Sequence, residues 1–455
     1  RMSFAHPDFL WAFALVLAAF AFVPRRLRLG ALLAASWGFY LVAPTWHFAV
    51  LVASTALDYL VGLALDRTGA RPARRALLFL SVAGNLGLLV SSKATGWLAL
   101  GLSFYTFQSL AYSIDVYRRR LDVCRDPVAF ALYVSFFPQL LAGPIERAQS
   151  LLPQIQRLAR ADAPVFRAAD LERGATLIAW GLLKKRCLSD ALGPWAIERF
   201  TRPEGHDALE LVLALLSFNV LLYLDFSAYT DVARGAARCF GVRLVGNFRR
   251  PYFARTLGDL MRRWHTSLVD WIMDYVWVPM VAGRLTLGRV ALANCVVLAL
   301  FGLWHDLRID LALLGAANGL IVTLEQLPRL LRRRPAPRGP LRAVFAWALM
   351  AALWIVFSTA IFAPDGASVV RYLRATFEAG SPGSESLRWL GLAAAGTAAA
   401  LWLHGLDLFG GEDDASEQTW SRVPRGLRVV LLAVAFVLVS RFGAESSSEF
   451  VYVRF

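Results

Sequence analysis

The stretch Leu211-Val212-Leu213-Ala214-Leu215-Leu216-Ser217-Phe218-Asn219-Val220-Leu221-Leu222-Tyr223-Leu224-Asp225-Phe226-Ser227-Ala228-Tyr229-Thr230-Asp231 decides the fold. It is part of an apolar run over 207–226, and a bilayer core needs roughly 20 such residues per helix. The run passes without a break into two carboxylates and four hydroxyls, those of Tyr223, Asp225, Ser227, Tyr229, Thr230 and Asp231. A group this polar cannot face hydrocarbon. It lines a water-filled cavity or is paired inside the protein. Pairing with Arg234, Arg238 or Arg262 is one reading, and direct contact with a substrate is the other.

Working outward, the whole chain of 455 residues is 57% hydrophobic and 18% charged, with a mean hydropathy of +0.51. Soluble domains are usually about 45–50% apolar and about 25% charged. The displacement excludes a soluble enzyme, a disordered chain and a disulfide scaffold. The net charge of +15 alone suggests nucleic acid, but so apolar a composition leaves too little polar sequence to build such a surface. Further candidate spans lie near 8–23, 30–46, 47–65, 76–92, 97–116, 173–192, 287–304, 309–328, 343–363, 387–408 and 427–441, making about twelve in all. The short stretches near 128–145 and 268–283 are interrupted by proline and read as re-entrant or tilted segments. The expected architecture is an all-α polytopic membrane protein in one domain. Residues 1–75 are its N-terminal spans, 76–363 its core and 364–455 its C-terminal spans and tail.

Arginine placement gives orientation. Clusters Arg25-Arg26-Arg28, Arg67-Arg71-Arg74-Arg75, Arg118-Arg119-Arg120-Arg125 and Arg329-Arg332-Arg333-Arg334-Arg338-Arg342 follow the first, third, fifth and ninth spans. All are odd-numbered exits, hence one side, the cytoplasm. Both termini are then expected outside. The first span lacks a basic n-region and a clear small-x-small site, so it does not read as a cleavable signal peptide. Cys124, Cys187, Cys239 and Cys295 are scattered singly, with no metal-ligand spacing and no disulfide framework.

Ionisable groups within a membrane are functional hypotheses by default. Of six histidines, His6, His47, His206 and His404 fit interfacial or satisfied positions. His265, in Arg262-Arg263-Trp264-His265-Thr266-Ser267-Leu268, and His305, closing Phe301-Gly302-Leu303-Trp304-His305, have no lipid-facing use. A role as base or hydrogen-bond donor is favoured for both. No nucleotide-binding loop, zinc motif or serine-hydrolase elbow is present in the sequence. The chemistry read from the residues is acid–base work by one or two histidines inside a membrane.

At these positions the sequence resembles the membrane-bound O-acyltransferase family, in its bacterial alginate O-acetyltransferase and teichoic-acid D-alanyltransferase branch. The likeness runs from about residue 76 to the last residue. Its most specific part is Asp225-Phe226-Ser227-Ala228-Tyr229-Thr230-Asp231 through Gly241, Asn247-Phe248, Pro251-Tyr252 and Arg263-Trp264-His265 to Trp271 and Asp274-Tyr275. Ser103–Gln108, Asp115–Arg118, Phe136–Pro144 and Leu303-Trp304-His305 are similar to family segments as well.

The resemblance implies helices around a central tunnel, an acyl donor entering from the cytoplasm and an acceptor reached from outside. It implies His305 as catalytic base and His265 as its polar partner. Asp225, Ser227, Tyr229, Asp231, Trp264, Trp304 and Asn318 would line the substrate path, Asn318 standing where many relatives show a second histidine. No bound cofactor or metal is implied; the donor would be acetyl-CoA or an acyl-carrier thioester. Phe450-Val451-Tyr452-Val453-Arg454-Phe455 resembles the branch's terminal aromatic hexapeptide. Tyr452 would relay the acyl group to a periplasmic or surface acyltransferase, or else the tail is an interfacial aromatic anchor. The function implied is O-acylation, chiefly O-acetylation, of an extracellular polysaccharide from the bacterial inner membrane. A lipid or protein acyltransferase of the same family, and a flippase for an anionic lipid-linked substrate, are the other readings.

Overall fold

Apolar runs become helices because a backbone in hydrocarbon has to bond to itself. The computed structural model describes residues 7–97, 99–140, 143–160, 165–283, 285–331, 340–380, 391 and 422–443. Among them the regular elements are helices, and the one β-type pairing is an isolated bridge between Phe248 and Trp264.

Six helices are long and apolar enough to cross a membrane: Thr45–Arg67, Arg71–Thr95, Ala208–Cys239, Leu287–His305, Ile309–Pro328 and Val344–Phe362. Several other expected spans are shorter helices, namely Pro7–Phe20, Arg28–Tyr40 and Leu102–Tyr117. The stretch 173–192 runs through a helix Ala168–Leu182 into a π-helical segment Leu183–Ser189 and on into Asp190–Thr201. Arg425–Phe442 is a helix with three arginines, and 387–408, residue 391 apart, lies outside the described residues. The stretch near 128–145 breaks as its prolines and glycine require, into Pro127–Ser135 and Phe137–Leu140.

The chain divides into two compact units, one of residues 1–181 with 229–246, the other of 182–228 with 247–455. The helix Ala208–Cys239 contributes its residues up to Ala228 to the second and those from Tyr229 to the first. Within the first unit, polar side chains are satisfied in groups. Asp58 on Thr45–Arg67 accepts hydrogen bonds from Ser81 at 2.5 Å, Asn85 at 2.8 Å and Ser113 at 2.9 Å. Arg74 donates to the terminal carbonyls of two helices, Leu65 and Thr68 on one side, Val116 and Tyr117 on the other. A guanidinium there meets the negative end of each helix. Arg238 pairs with Asp170 at 2.9 Å.

Two features of the second unit hold the site. The first is a buried charge group. Lys185, 1% exposed, lies 2.7 Å from Asp225 and 2.9 Å from Asp190, while Lys184 donates to Ser227 at 2.9 Å. The π-helical turn widens the helix where it presents both lysines, as such bulges often do at functional positions. The second is the hairpin Leu287–His305 and Ile309–Leu330, joined by three residues. A Cβ at Gly315 would lie 2.1 Å from the Leu298 carbonyl oxygen, and one at Gly319 would lie 2.5 Å from Cys295 Cα. Hydrogen at these two positions lets the backbones touch, as small residues do between membrane helices.

Two outcomes follow from this packing. Gly315→Ala forces the hairpin apart and should destabilise by roughly 1–3 kcal/mol, the usual range for overpacking, read as a lower unfolding midpoint in detergent. Lys185→Met leaves two buried carboxylates without their cation and should cost about 3–5 kcal/mol. The double variant Lys185→Met/Asp225→Asn should recover part of that loss; a double no better than the single would show that the pair does not bear on stability.

Candidate active site

The site is built on a hairpin of backbone between Asn247 and Thr266. The Phe248–Trp264 bridge, Arg249 N–H to Arg263 O at 2.9 Å, and Thr266 N–H to Asn247 O at 2.9 Å close it. Its tip carries a short helix, Leu257–Met261, whose first N–H groups need acceptors. Glu325, on the helix Ile309–Leu330, accepts from Leu257 N–H at 2.7 Å and Gly258 N–H at 2.9 Å. Trp264, 1% exposed, anchors the base against Trp354, with ring centroids 4.6 Å apart, and against Phe248 at 5.2 Å.

His265 follows in the left-handed region, φ 47° and ψ 51°, a conformation uncommon for a residue with a side chain. Such strain persists where the surroundings over-determine it. Here they do: the side chain is fully buried, with Nδ1 3.2 Å from Asn247 Oδ1, and Ser267 Oγ donates to the same oxygen at 2.6 Å. Burial pushes the imidazole's pKa down to about 3, so His265 is neutral.

Around His265 the walls are aromatic. The Phe226 ring stands edge-on with its centroid at 4.8 Å, and Trp304 lies at 5.6 Å. Trp304 in turn lies 4.7 Å from His305, whose ring also meets Phe301 at 5.3 Å and Phe362 at 5.9 Å. One indole therefore touches both histidines. Its Nε1 is buried and has no hydrogen-bond partner among the described residues.

His305 is the last residue of its helix, and Asp306 caps that end, N–H to Gly302 O at 3.2 Å. The cap leaves the imidazole at a helix end rather than within the helix.

His265, Trp264, Trp304 and His305 thus share one aromatic setting within the second unit. Asp225 and Ser227 are engaged by Lys185 and Lys184, and the residue between them, Phe226, is the one facing His265. Asp225 is therefore paired, with a lysine in place of the expected arginines. Asp231 does meet Arg234, at 3.6 Å; it and Tyr229 belong to the first unit. Asn318 donates to Leu314 O of its own helix at 2.9 Å. Tyr452 lies outside the described residues. The lysines and Asn247 did not stand out as site residues in the sequence. Lys184-Lys185-Arg186 inside the apolar stretch 173–192 is the signal that marks them, since cations in such a stretch demand buried partners.

A neutral, buried imidazole, a second imidazole at a helix end and an indole N–H between them can take a proton and bind a developing negative charge. Comparison with known proteins agrees with that chemistry. The profile of the membrane-bound O-acyltransferase family matches residues 120–363, which include all four of these side chains. The chain is 31% identical over 388 residues to a probable alginate O-acetylase AlgI of Azotobacter vinelandii, covering 78% of this chain and 75% of that protein. It is 27% identical over 375 residues to the peptidoglycan O-acetyltransferase of Helicobacter pylori, covering 71% and 70%. Over 232 residues it is 27% identical to the teichoic acid D-alanyltransferase of Bacillus subtilis, covering 49% and 58%. With its apolar helices, this places the chain in the membrane-bound O-acyltransferase family: it is a multi-pass membrane protein and an acyltransferase.

Proposed function

We propose that the enzyme takes an acyl group, acetyl, from a cytoplasmic thioester (acetyl-CoA or an acyl carrier) and passes it across the membrane for O-acylation of an extracellular polysaccharide. The observation that carries this reading is the pair of imidazoles on the two sides of Trp304. The relatives named for O-acetylation of alginate and peptidoglycan support the acyl group and the acceptor class.

In this reading His305 is the base. A ring nitrogen of that imidazole takes the proton of the acceptor hydroxyl as that oxygen attacks the thioester carbonyl. The proton returns to the leaving thiolate when the carbon–sulfur bond breaks. His265 is the second polar group of the pair. Trp264, Trp304, Asp225, Ser227 and Asn318 border the path or hold its walls, and helices around a central tunnel carry it through the bilayer.

About twelve crossings place both ends outside the bacterial inner membrane, because the arginine clusters follow odd-numbered spans. The tail then meets the periplasm, where Tyr452 holds the acyl group as an ester for a second acyltransferase. The phenol is the one nucleophile in Phe450–Phe455.

His305→Ala should lower polymer acylation by about 10²–10⁴-fold with insertion and unfolding midpoint unchanged. Acylation at the wild-type level in that variant would refute the role. Mass spectrometry of the C-terminal peptide should show an acyl adduct on Tyr452 that disappears in Tyr452→Phe along with polymer acylation. A fully active Tyr452→Phe enzyme would remove the relay.

A further inference from the structure

We infer that the indole N–H of Trp304 is the donor that holds the oxyanion formed on the acyl carbonyl, with His265 beside it as a hydrogen-bond acceptor. The inference rests on the acyl-transfer reading above and assigns a group to a step that reading leaves without one.

Consider first what His265 can offer. A neutral imidazole has one N–H and one lone pair. Asn247 Oδ1 is an acceptor and lies 3.2 Å from Nδ1, so the proton sits on Nδ1. Ser267 Oγ–H donates to the same oxygen at 2.6 Å, which fixes the amide with its oxygen toward the ring. The other nitrogen, Nε2, then carries the lone pair. A lone pair receives a hydrogen bond and repels an oxyanion. His265 in this tautomer does not stabilise negative charge on oxygen.

Trp304 supplies the missing N–H. Two other tryptophans of the same unit spend this donor on the protein: Trp277 on Asn294 Oδ1 at 2.8 Å and Trp347 on Tyr252 O at 2.9 Å. Trp304 Nε1 is buried and has no such acceptor among the described residues. Leaving a buried donor without an acceptor is unfavourable, and an incoming acceptor relieves that penalty. Trp354 Nε1 shares the condition, but its ring packs on Trp264 and Phe357. The Trp304 ring meets both imidazoles, at 5.6 Å from His265 and 4.7 Å from His305.

The step balances. The acceptor oxygen forms a bond to the acyl carbon, its proton goes to His305, and the carbonyl π pair moves to oxygen. The Trp304 N–H binds that oxygen. The pair then re-forms the carbonyl, the carbon–sulfur bond breaks, and the thiolate leaves with the proton from His305.

The test uses the full chain in lipid nanodiscs, with acetyl-CoA, S-acetyl-pantetheine and an acetylated carrier protein as donors. Trp304→Phe keeps a ring and removes the N–H. Its kcat should fall about 10²–10³-fold, the usual effect of losing one oxyanion donor, with donor KM within about threefold and the unfolding midpoint unchanged. Trp347→Phe, which removes the N–H of a half-exposed indole that meets neither imidazole among the described residues, should stay within about threefold of wild type. A trifluoroacetonyl thioether of CoA, which mimics the tetrahedral oxyanion, should lose affinity for Trp304→Phe by the same factor as kcat/KM, while ground-state donor binding does not change. That correlation separates an oxyanion contact from a purely structural role. If Trp304→Phe retains more than a fifth of kcat, or loses kcat and stability together without loss of analogue affinity, the inference is overturned, and His305→Ala still reports on the acyl-transfer reading. Wild type inert toward every thioester would overturn that reading and this inference with it.

Discussion

A side chain with charge on it, once inside hydrocarbon, has to find its partner in the same protein, and Lys185 between Asp190 and Asp225 is where the enzyme meets that demand most fully. The contact ties the π-helical turn at Leu183–Ser189 to the helix Ala208–Cys239. Lys184 adds a second tie one residue away, to Ser227. Phe226 lies between the two tied residues, so its rotation about the helix axis is set from both sides. Its ring is the face that His265 packs against. The buried charge pair thereby fixes a wall of the candidate site.

The two imidazoles are located by the same pair of helices through different routes. His305 ends the first helix of the glycine-packed hairpin directly. His265 is referred to the second helix through Glu325, whose carboxylate holds the N–H groups of Leu257 and Gly258 at the tip of the loop that delivers it. The absence of side chains at Gly315 and Gly319 sets how closely the helices lie. The spacing of the histidines is thus a property of helix packing, which is stiffer than a loop. The left-handed backbone of His265 is tolerated because the amide of Asn247, the bridge at Phe248 and the Trp264–Trp354 stack leave it no other place.

Much of this was legible in the residue order, because hydrocarbon imposes one rule on every span. The apolar runs named the long helices, and His265 and His305 stood out as imidazoles with no use toward lipid. The run at 208–239 exceeded its expected length because Asp225 and Asp231 are buried within the helix rather than ending it. Helices such as Arg28–Tyr40 came out shorter than their runs since Pro44 and its neighbours stop the turn. Partner choice was not legible. Asp225 and Lys185 are forty positions apart, and nothing local tells an aspartate whether a lysine before it or an arginine after it will come within reach. The tautomer of His265 was equally hidden, being set by an asparagine eighteen positions earlier across the hairpin.

Within the proposed acyl-transfer reading, the distribution of charge around the site accounts for a weak donor being sufficient there. Full charges are held next to the reaction space but paired off: Lys185 with its two carboxylates, and Lys184 against Ser227. The immediate walls are Phe226, Trp264, Trp304, Phe301 and Phe362, which carry no charge. In such a low-dielectric space, charge that appears during reaction is the strongest local field, and a single oriented N–H acts on it far more than it would in water. A lysine in the same place would bind a carboxylate or phosphate ground state as readily as the transition state and would lose the discrimination. Imidazole and indole avoid that trap: they have little to offer until bonds begin to move.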